Sequence, residues 1–160
     1  MIDKDVQVDI VTNMMRLATE MSSWNKAYAT EDKAAKRMEE LGLTRHQLDV
    51  IGFLYTNPEL DTVSALSSHL HISKGSLSLM LSKLQAGGFV QKKAARDGDD
   101  GRKIYISLTE KGEAAVLEMI DLLAETAAVV FDRMDGQSRL QIYTKVQELL
   151  ELFNTGGWKE

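Results

Sequence analysis

Residues 61–90 read DTVSALSSHLHISKGSLSLMLSKLQAGGFV and predict two short helices joined by a tight turn. In the first helix, Val63, Leu66 and Leu70 recur at steps of three and four, which places them on one face. Ser73 follows the turn, and its hydroxyl can cap the second helix by accepting a hydrogen bond from an amide of the first turn. Two helices this short and this close in sequence are typical of a helix-turn-helix.

The second helix separates an apolar face from a polar one. The apolar face is predicted at Leu77, Met80 or Leu81, and Leu84. The outward residues are then Lys74, Ser76, Ser78, Leu79, Ser82 and Lys83. In a helix-turn-helix, exposed residues of the second helix meet base edges in the major groove. Serine hydroxyls can bond to bases or phosphates there and lysine suits phosphates, although each serine is equally compatible with a solvated helix position.

The next segment predicts a two-stranded wing. A strand-like run begins at Phe89-Val90, and residues 97–101, DGDDG, form a polar turn. After the turn, Ile104, Ile106 and Leu108 alternate with Tyr and Ser, the period-two pattern of a half-buried strand. Helix-turn-helix and wing together predict a winged helix, a mainly α fold with a small β-hairpin.

The charge of the chain is unevenly distributed. Residues 73–105 hold seven basic and three acidic side chains, a net charge of +4, which leaves −9 for the rest of a chain whose net charge is −5. Nucleic-acid binding depends on a local basic face that displaces counterions from phosphates, and the total charge does not report it. Beside a helix-turn-helix, the basic segment favours DNA as the partner over a merely solvated hairpin.

An ordered set of motifs runs from residue 43 to residue 112. It consists of Leu43-Thr44…Gln47…Leu54, Thr62-Val63-Ser64…Leu66…Leu70…Ile72-Ser73, Ser78, Leu84, Gly88, Asp100-Gly101-Arg102 and Leu108-Thr109…Gly112. This set resembles the MarR-type winged-helix transcription regulators, and its most specific part is the Asp-x-Arg wing followed by Leu-Thr-x-x-Gly. Outside it, the resemblance rests on length and helical pattern only.

The resemblance implies roles for the wing. In the family, the arginine at the position of Arg102 reaches into the minor groove, and the aspartate at the position of Asp100 holds it by a charge-assisted pair. A guanidinium suits a narrow minor groove of strong negative potential. Arg96 and Lys103 are further candidate DNA contacts. Leu79 stands where the family often carries a basic residue, which suggests apolar contact with a thymine methyl group, or no base contact.

Helical arms flank the winged helix, which we place at residues 43–112. The first arm, residues 1–42, carries one apolar stripe made of Val6, Ile10, Met14, Leu17, Met21, Trp24 and Tyr28. In the second arm, residues 113–160, one helix is predicted to end near Met134 and the next to be capped by Ser138. Stripes this long exceed what a small winged helix covers, so we expect dimerisation helices, although packing within one chain is an alternative.

The helix that starts the winged domain should brace it from behind. Thr44 and Gln47 form a capping box at its start. Its buried face is predicted at Leu48, Ile51, Leu54 and Tyr55. Asn57-Pro58 ends it, because a residue that precedes proline is displaced from helical geometry.

Several classes of protein are disfavoured. The chain contains no cysteine, which removes disulfides, thiolate metal sites and thiol-based redox sensing. Its histidines, His46, His69 and His71, show no catalytic or metal-binding spacing, so we expect neither an enzyme nor a metal or cofactor. No apolar run approaches membrane-spanning length and no basic-then-apolar leader is present, so the expected location is the cytoplasm.

These observations predict a homodimeric DNA-binding transcription regulator that recognises an inverted-repeat operator. The resemblance implies repression that a small-molecule effector relieves, with the effector bound in a crevice between the dimer arms and the winged helix. Candidate lining residues are Met14, Trp24, Tyr28 and Tyr55. The alternative hypothesis is a dimeric adaptor that keeps the fold but acts mainly through protein contacts.

Overall fold

A computed structural model of the chain describes residues 4–27, 30–93 and 104–155. In chain order the elements are α1 (Lys4–Ala27), α2 (Thr30–Leu41), α3 (Arg45–Thr56), α4 (Val63–Leu70), α5 (Lys74–Ala86), β1 (Val90–Lys93), β2 (Tyr105–Leu108), α6 (Glu110–Phe131) and α7 (Gly136–Thr155). They belong to two compact units, one of residues 29–122 and the other of residues 1–28 and 123–160. Among the described helices, none is long and apolar enough to cross a membrane.

Helix α3 begins with the predicted capping box. The Thr44 hydroxyl accepts a hydrogen bond from the Gln47 amide at 3.3 Å, and the Gln47 side-chain carbonyl accepts one from the Thr44 amide at 2.8 Å. The buried face carries Val50, Ile51 and Leu54. The prediction of a buried Tyr55 was wrong, since its side chain is 39% exposed. Tyr55 lies about 100° around the helix from Leu54, beyond the packed face.

The helix-turn-helix, α4 and α5, follows the predicted boundaries. Thr62 caps α4, its hydroxyl accepting from the Ala65 amide at 3.2 Å. The turn passes through His71, which has a left-handed φ of +53°. The Ser67 hydroxyl donates to the Ile72 carbonyl at 2.7 Å and so holds the turn against α4. Ser73 caps α5, as predicted.

Strands β1 and β2 form the antiparallel stem of the wing, with Val90 opposite Leu108. The predicted alternation along β2 was wrong in part, because Tyr105 is buried as well as Ile106, while Ile104 is 49% exposed. The cause is a third backbone segment on the free edge of β2. The Ile106 amide donates to the Asp61 carbonyl at 2.6 Å, and Thr62 bridges to Tyr105, so Tyr105 lies between β1 and the start of α4.

The core of the 29–122 unit is formed where α3, α4, α5, the hairpin and the start of α6 meet. Its fully buried large side chains are Val50, Ile51, Leu66, Leu77, Leu81, Leu84, Val90 and Ile106. These residues come from elements distant in sequence, and their burial supplies most of the driving force for folding. The core therefore holds α5 by one face and leaves the other face free.

The helices of the other unit expose much of their apolar surface. Helix α1 has no buried residue, and Val6, Ile10, Met14, Leu17 and Met21 are each between 48% and 56% exposed. On α7, Leu140, Tyr143, Val146, Leu149 and Leu150 are between 46% and 64% exposed. Patches of this extent are typical of interaction surfaces.

The junction between α6 and α7 differs from the prediction in two details. Helix α6 ends at Phe131 rather than near Met134. Asp135, and not Ser138, caps α7, because its carboxylate accepts from the Ser138 amide at 2.9 Å and from the Ser138 hydroxyl at 2.7 Å. These hydrogen bonds lower the pKa of Asp135 below its usual range.

Candidate nucleic-acid interface

Helix α5 presents a polar surface on the side away from the core. Leu77, Leu81 and Leu84 are at most 1% exposed and fix the rotation of the helix. The six predicted DNA contacts on this helix are exposed: Lys74, Ser76, Ser78, Leu79, Ser82 and Lys83. Among the described residues, neither lysine is held in a salt bridge. Both ammonium groups are therefore available to phosphates.

The serines of α5 differ in what their hydroxyl groups already bind. Ser76 lies 2.9 Å from the hydroxyl of the capping residue Ser73. Ser82 donates its one hydroxyl hydrogen to the Ser78 carbonyl at 2.8 Å. The Ser78 hydroxyl makes no hydrogen bond to any other described residue, so it is the serine most available to a partner.

The base of the wing is fixed to the end of α5 by the Leu-Thr-x-x-Gly motif. Thr109 donates from its hydroxyl to the Gly88 carbonyl at 2.5 Å and accepts from the Gly112 amide at 3.1 Å. Gly88 has a φ of +76°, a conformation that favours glycine. Lys111 donates to the Gly87 carbonyl at 2.7 Å, and its ammonium lies 4.3 Å from the centre of the Phe89 ring.

Gly112 explains the last position of this motif. A Cβ atom there would lie 2.1 Å from the carbonyl oxygen of Phe89, so only glycine permits this approach of α6 to the chain leaving α5. The motif thus has a structural role: it sets where the wing leaves the helix-turn-helix. The motif is visible in the sequence, whereas this contact between residues 23 positions apart is visible only in the structure.

The stem of the wing carries basic side chains toward its tip. Lys92 and Lys93, at the end of β1, are exposed. Both belong to the basic segment of residues 73–105 but are not among the predicted DNA contacts. Two consecutive lysines in a predicted wing strand are the sequence pattern that could have indicated them. The predicted contacts Arg96, Arg102 and Lys103, and the supporting Asp100, lie outside the described residues.

The predicted effector-pocket residues fall into different settings. Tyr55 lines a cavity of about 640 Å³ in the 29–122 unit, together with Leu54, Pro58, Asp61 and Ile106. In the other unit, Met14 is exposed, and Trp24 is half-buried with its ring edge-on to Phe131 at 6.3 Å between centroids. Tyr28 lies outside the described residues.

The ionisable residues of the described segments offer no metal centre. No group of three or more His, Asp or Glu side chains within those segments could hold a metal ion. His69 instead packs against Phe53, with 4.6 Å between ring centroids. A helix-turn-helix followed by a two-stranded stem with exposed lysines is the architecture of the winged-helix class, whose members typically bind DNA.

Comparison with known proteins agrees with this class. Residues 41–103 match the sequence model of the MarR family. The chain is 25% identical over 128 residues to the organic hydroperoxide resistance transcriptional regulator of Bacillus subtilis, and the match covers 78% of this chain and 84% of the relative. It is similar in fold to a MepR mutant from a multidrug resistant S. aureus clinical isolate, with a TM-score of 0.69, 17% identity and coverage of 89% and 96% of the two chains.

The S. aureus MepR–DNA complex is also similar, with a TM-score of 0.61, 19% identity and coverage of 79% of this chain and 93% of that one. This chain is thus similar to the transcription regulators of the MarR family, whose sequence model matches residues 41–103. The resemblance inferred from the motifs and the predicted fold class are both confirmed.

Proposed function

We propose that this protein is a homodimeric repressor that binds an inverted-repeat operator through α5 and the wing. The observation that carries the proposal is the division of α5 into a buried leucine face and a free face of lysine and serine. A helix held in this way can enter the major groove, while the basic strand β1 leads the wing toward the neighbouring minor groove. Because the proposed target is operator DNA, we expect the protein to act in the cytoplasm.

The proposed dimer uses the helices at the two ends of the chain. Helices α1 and α7 expose apolar side chains along most of their length, as the values for Met14 and Leu140, 49% and 64%, illustrate. Burial of such stripes against a second copy would remove a large apolar area from water. Two copies related by a two-fold axis present two recognition helices, which is the geometry that an inverted repeat matches.

We further propose that a small molecule, rather than oxidation of a thiol, relieves repression. The chain contains no cysteine. The cavity beside Tyr55 has a volume within the range of small-molecule sites and is lined by the stem of the wing at Ser107 and Leu108. A ligand that binds one arrangement of the wing more tightly than another shifts the population between them.

The test is binding to the DNA immediately upstream of the gene, at near-physiological salt with excess competitor DNA. Arg102→Ala should weaken competitor-resistant binding by roughly 30-fold or more, the loss expected when a groove contact of about 1 kcal/mol or more is removed from each of two half-sites. Arg139→Ala is the matched control, because Arg139 is on α7 and pairs with Asp132 at 3.5 Å.

A second experiment tests for operators elsewhere in the genome. Genomic fragments would be selected by the purified protein, and the selected sequence should contain an inverted repeat. Weak binding that competitor removes, equal for wild type and R102A and without a selected sequence, would overturn the proposal and favour the adaptor hypothesis.

A further inference from the structure

The free face of α5 has an apolar residue at its centre. Leu79 is 62% exposed, although it is in the middle of a helix whose other leucines are buried. At about 100° per residue, Leu79 lies roughly 160° around the helix from Leu77 and Leu81. It therefore points directly away from the core, with Gly75 one turn before it and Lys83 one turn after it.

Few side chains on this face of α5 can recognise a base through hydrogen bonds. Between the two lysines, α5 offers no Arg, Asn or Gln, the side chains that bond a purine through two atoms at once. The hydroxyl hydrogen of Ser82 is already donated within the helix, at 2.8 Å. Only Ser78 has a hydroxyl without another described partner, and a single hydroxyl discriminates weakly between bases.

Gly75, one turn before Leu79, allows the backbone of α5 to approach DNA closely. A Cβ atom at Gly75 would meet no atom within 4 Å, so the fold does not require glycine there. Because Gly75 has no side chain, no group projects from the DNA-facing side of α5 one turn before Leu79. The one protruding group at the centre of the face is then an isobutyl side chain, whose complement in the major groove is the thymine methyl group.

We infer that Leu79 is a specificity-determining residue, and that each operator half-site places a thymine methyl group against it. The inference rests on the proposed function, since it presumes that α5 enters the major groove. It predicts an operator read through a methyl contact at the centre of each half-site rather than through a two-atom contact to guanine. A methyl group removed from water contributes about fourfold in affinity, hence roughly 15-fold for two half-sites.

The experiment is a double-mutant cycle on the selected operator. Replacement of the central thymine of each half-site by deoxyuridine removes only the methyl group. This substitution should weaken binding of the wild-type protein by roughly 15-fold. It should have little effect on binding of Leu79→Ala, because the side chain that contacts the methyl group is already absent. Deoxyuridine at thymines flanking the operator serves as the matched control.

A second variant tests the same position by gain of a new preference. Leu79→Arg should move the base selected at that position from thymine toward guanine, the base that arginine binds through two atoms. The readout is the ratio of bases in a selection, since added charge alone raises affinity for any DNA. Circular dichroism would verify that both variants fold.

The outcomes separate the two proposals. A selected inverted repeat that binds equally well with deoxyuridine, and whose base preference is unchanged by L79R, would overturn the role of Leu79 alone. Absence of any competitor-resistant operator would overturn the proposed function and this inference together. Loss of affinity with deoxyuridine that persists undiminished in L79A would show that another residue reads the methyl group.

Discussion

The Arg37 guanidinium lies 2.6 Å from a carboxylate oxygen of Glu118 and thereby joins α2 to α6. Arg37 also binds Glu40, one turn further along α2, at 2.8 Å. The hydrogen bond from Arg37 holds the pKa of Glu118 below its usual range, and the hydrogen bonds to Glu118 and Glu40 raise the pKa of Arg37. The ion pair connects the first helix of the 29–122 unit to the helix that follows the wing.

Arg37→Gln is expected to lower the urea midpoint of unfolding at neutral pH. A carboxyl group whose pKa is lower in the folded protein stabilises the fold above its unfolded pKa, and this contribution is lost as pH falls through the folded pKa. The difference in urea midpoint between wild type and R37Q should therefore be largest at pH 7. It should shrink as the pH falls below the ordinary pKa of glutamate, about 4. Urea titrations across that range, followed by circular dichroism, measure it.

Arg45→Gln provides the control for that substitution. Arg45 pairs with Asp49 within α3 at 3.2 Å, and their side chains are 76% and 50% exposed. Exposed pairs one turn apart contribute little because water and salt screen them. Equal losses in R37Q and R45Q, or a loss in R37Q that does not depend on pH, would contradict the role assigned to the Arg37–Glu118 pair.

Gly112→Ala should destabilise the protein by about 1–3 kcal/mol or more, because the new methyl group would have to displace the Phe89 backbone. It should also weaken operator binding, since Phe89 leads into the wing. Gly52→Ala is the matched control: a Cβ atom there meets nothing within 4 Å. In the interior of α3 it should stabilise by about 0.5–1 kcal/mol. Thermal unfolding of both variants measures the contrast, and an unchanged melting temperature for G112A would refute the packing argument.

Lys83→Gln is expected to reduce the salt dependence of operator binding. Each lysine that neutralises a phosphate adds about one unit to the slope of log K against log salt, so loss of Lys83 from both half-sites should reduce the slope by about two. Lys145→Gln removes the same charge from α7, where Lys145 pairs with Glu148 at 3.1 Å, and should leave the slope unchanged. A slope equal to that of wild type in K83Q would place Lys83 outside the phosphate contacts.

Local sequence determined the helix starts in the winged domain. Thr44 with Gln47, and Ser73, each cap a helix through side chains no more than three residues from the amides they bind, so the sequence pattern alone predicts them. Thr62 caps α4 in the same local way. The junction before α7 shows the limit of this reasoning. The sequence predicts Ser138 as the cap, which was wrong: the cap is Asp135, whose carboxylate accepts hydrogen bonds from the amide and the hydroxyl of Ser138.

Periodicity also determined the orientation of α5. Leucines at steps of four and three bury one face of the helix, which leaves Lys74, Ser78 and Leu79 on the opposite face. The candidate recognition surface could therefore be derived without coordinates, because a helix rotates to bury its apolar stripe. Which serine hydroxyl remains available could not be derived, since it depends on side-chain hydrogen bonds within the helix.

The sequence by itself thus determined the resemblance to MarR-type regulators, through its ordered motifs. It also determined the order of elements and the exposed face of α5, since caps and periodic leucines act within a few residues of one another. Tertiary structure alone decided the burial of Tyr105, the ion pair of Arg37 with Glu118 and the contact of Gly112 with Phe89. Each of these joins segments more than 20 residues apart, so its energy depends on how elements pack, which no local pattern encodes.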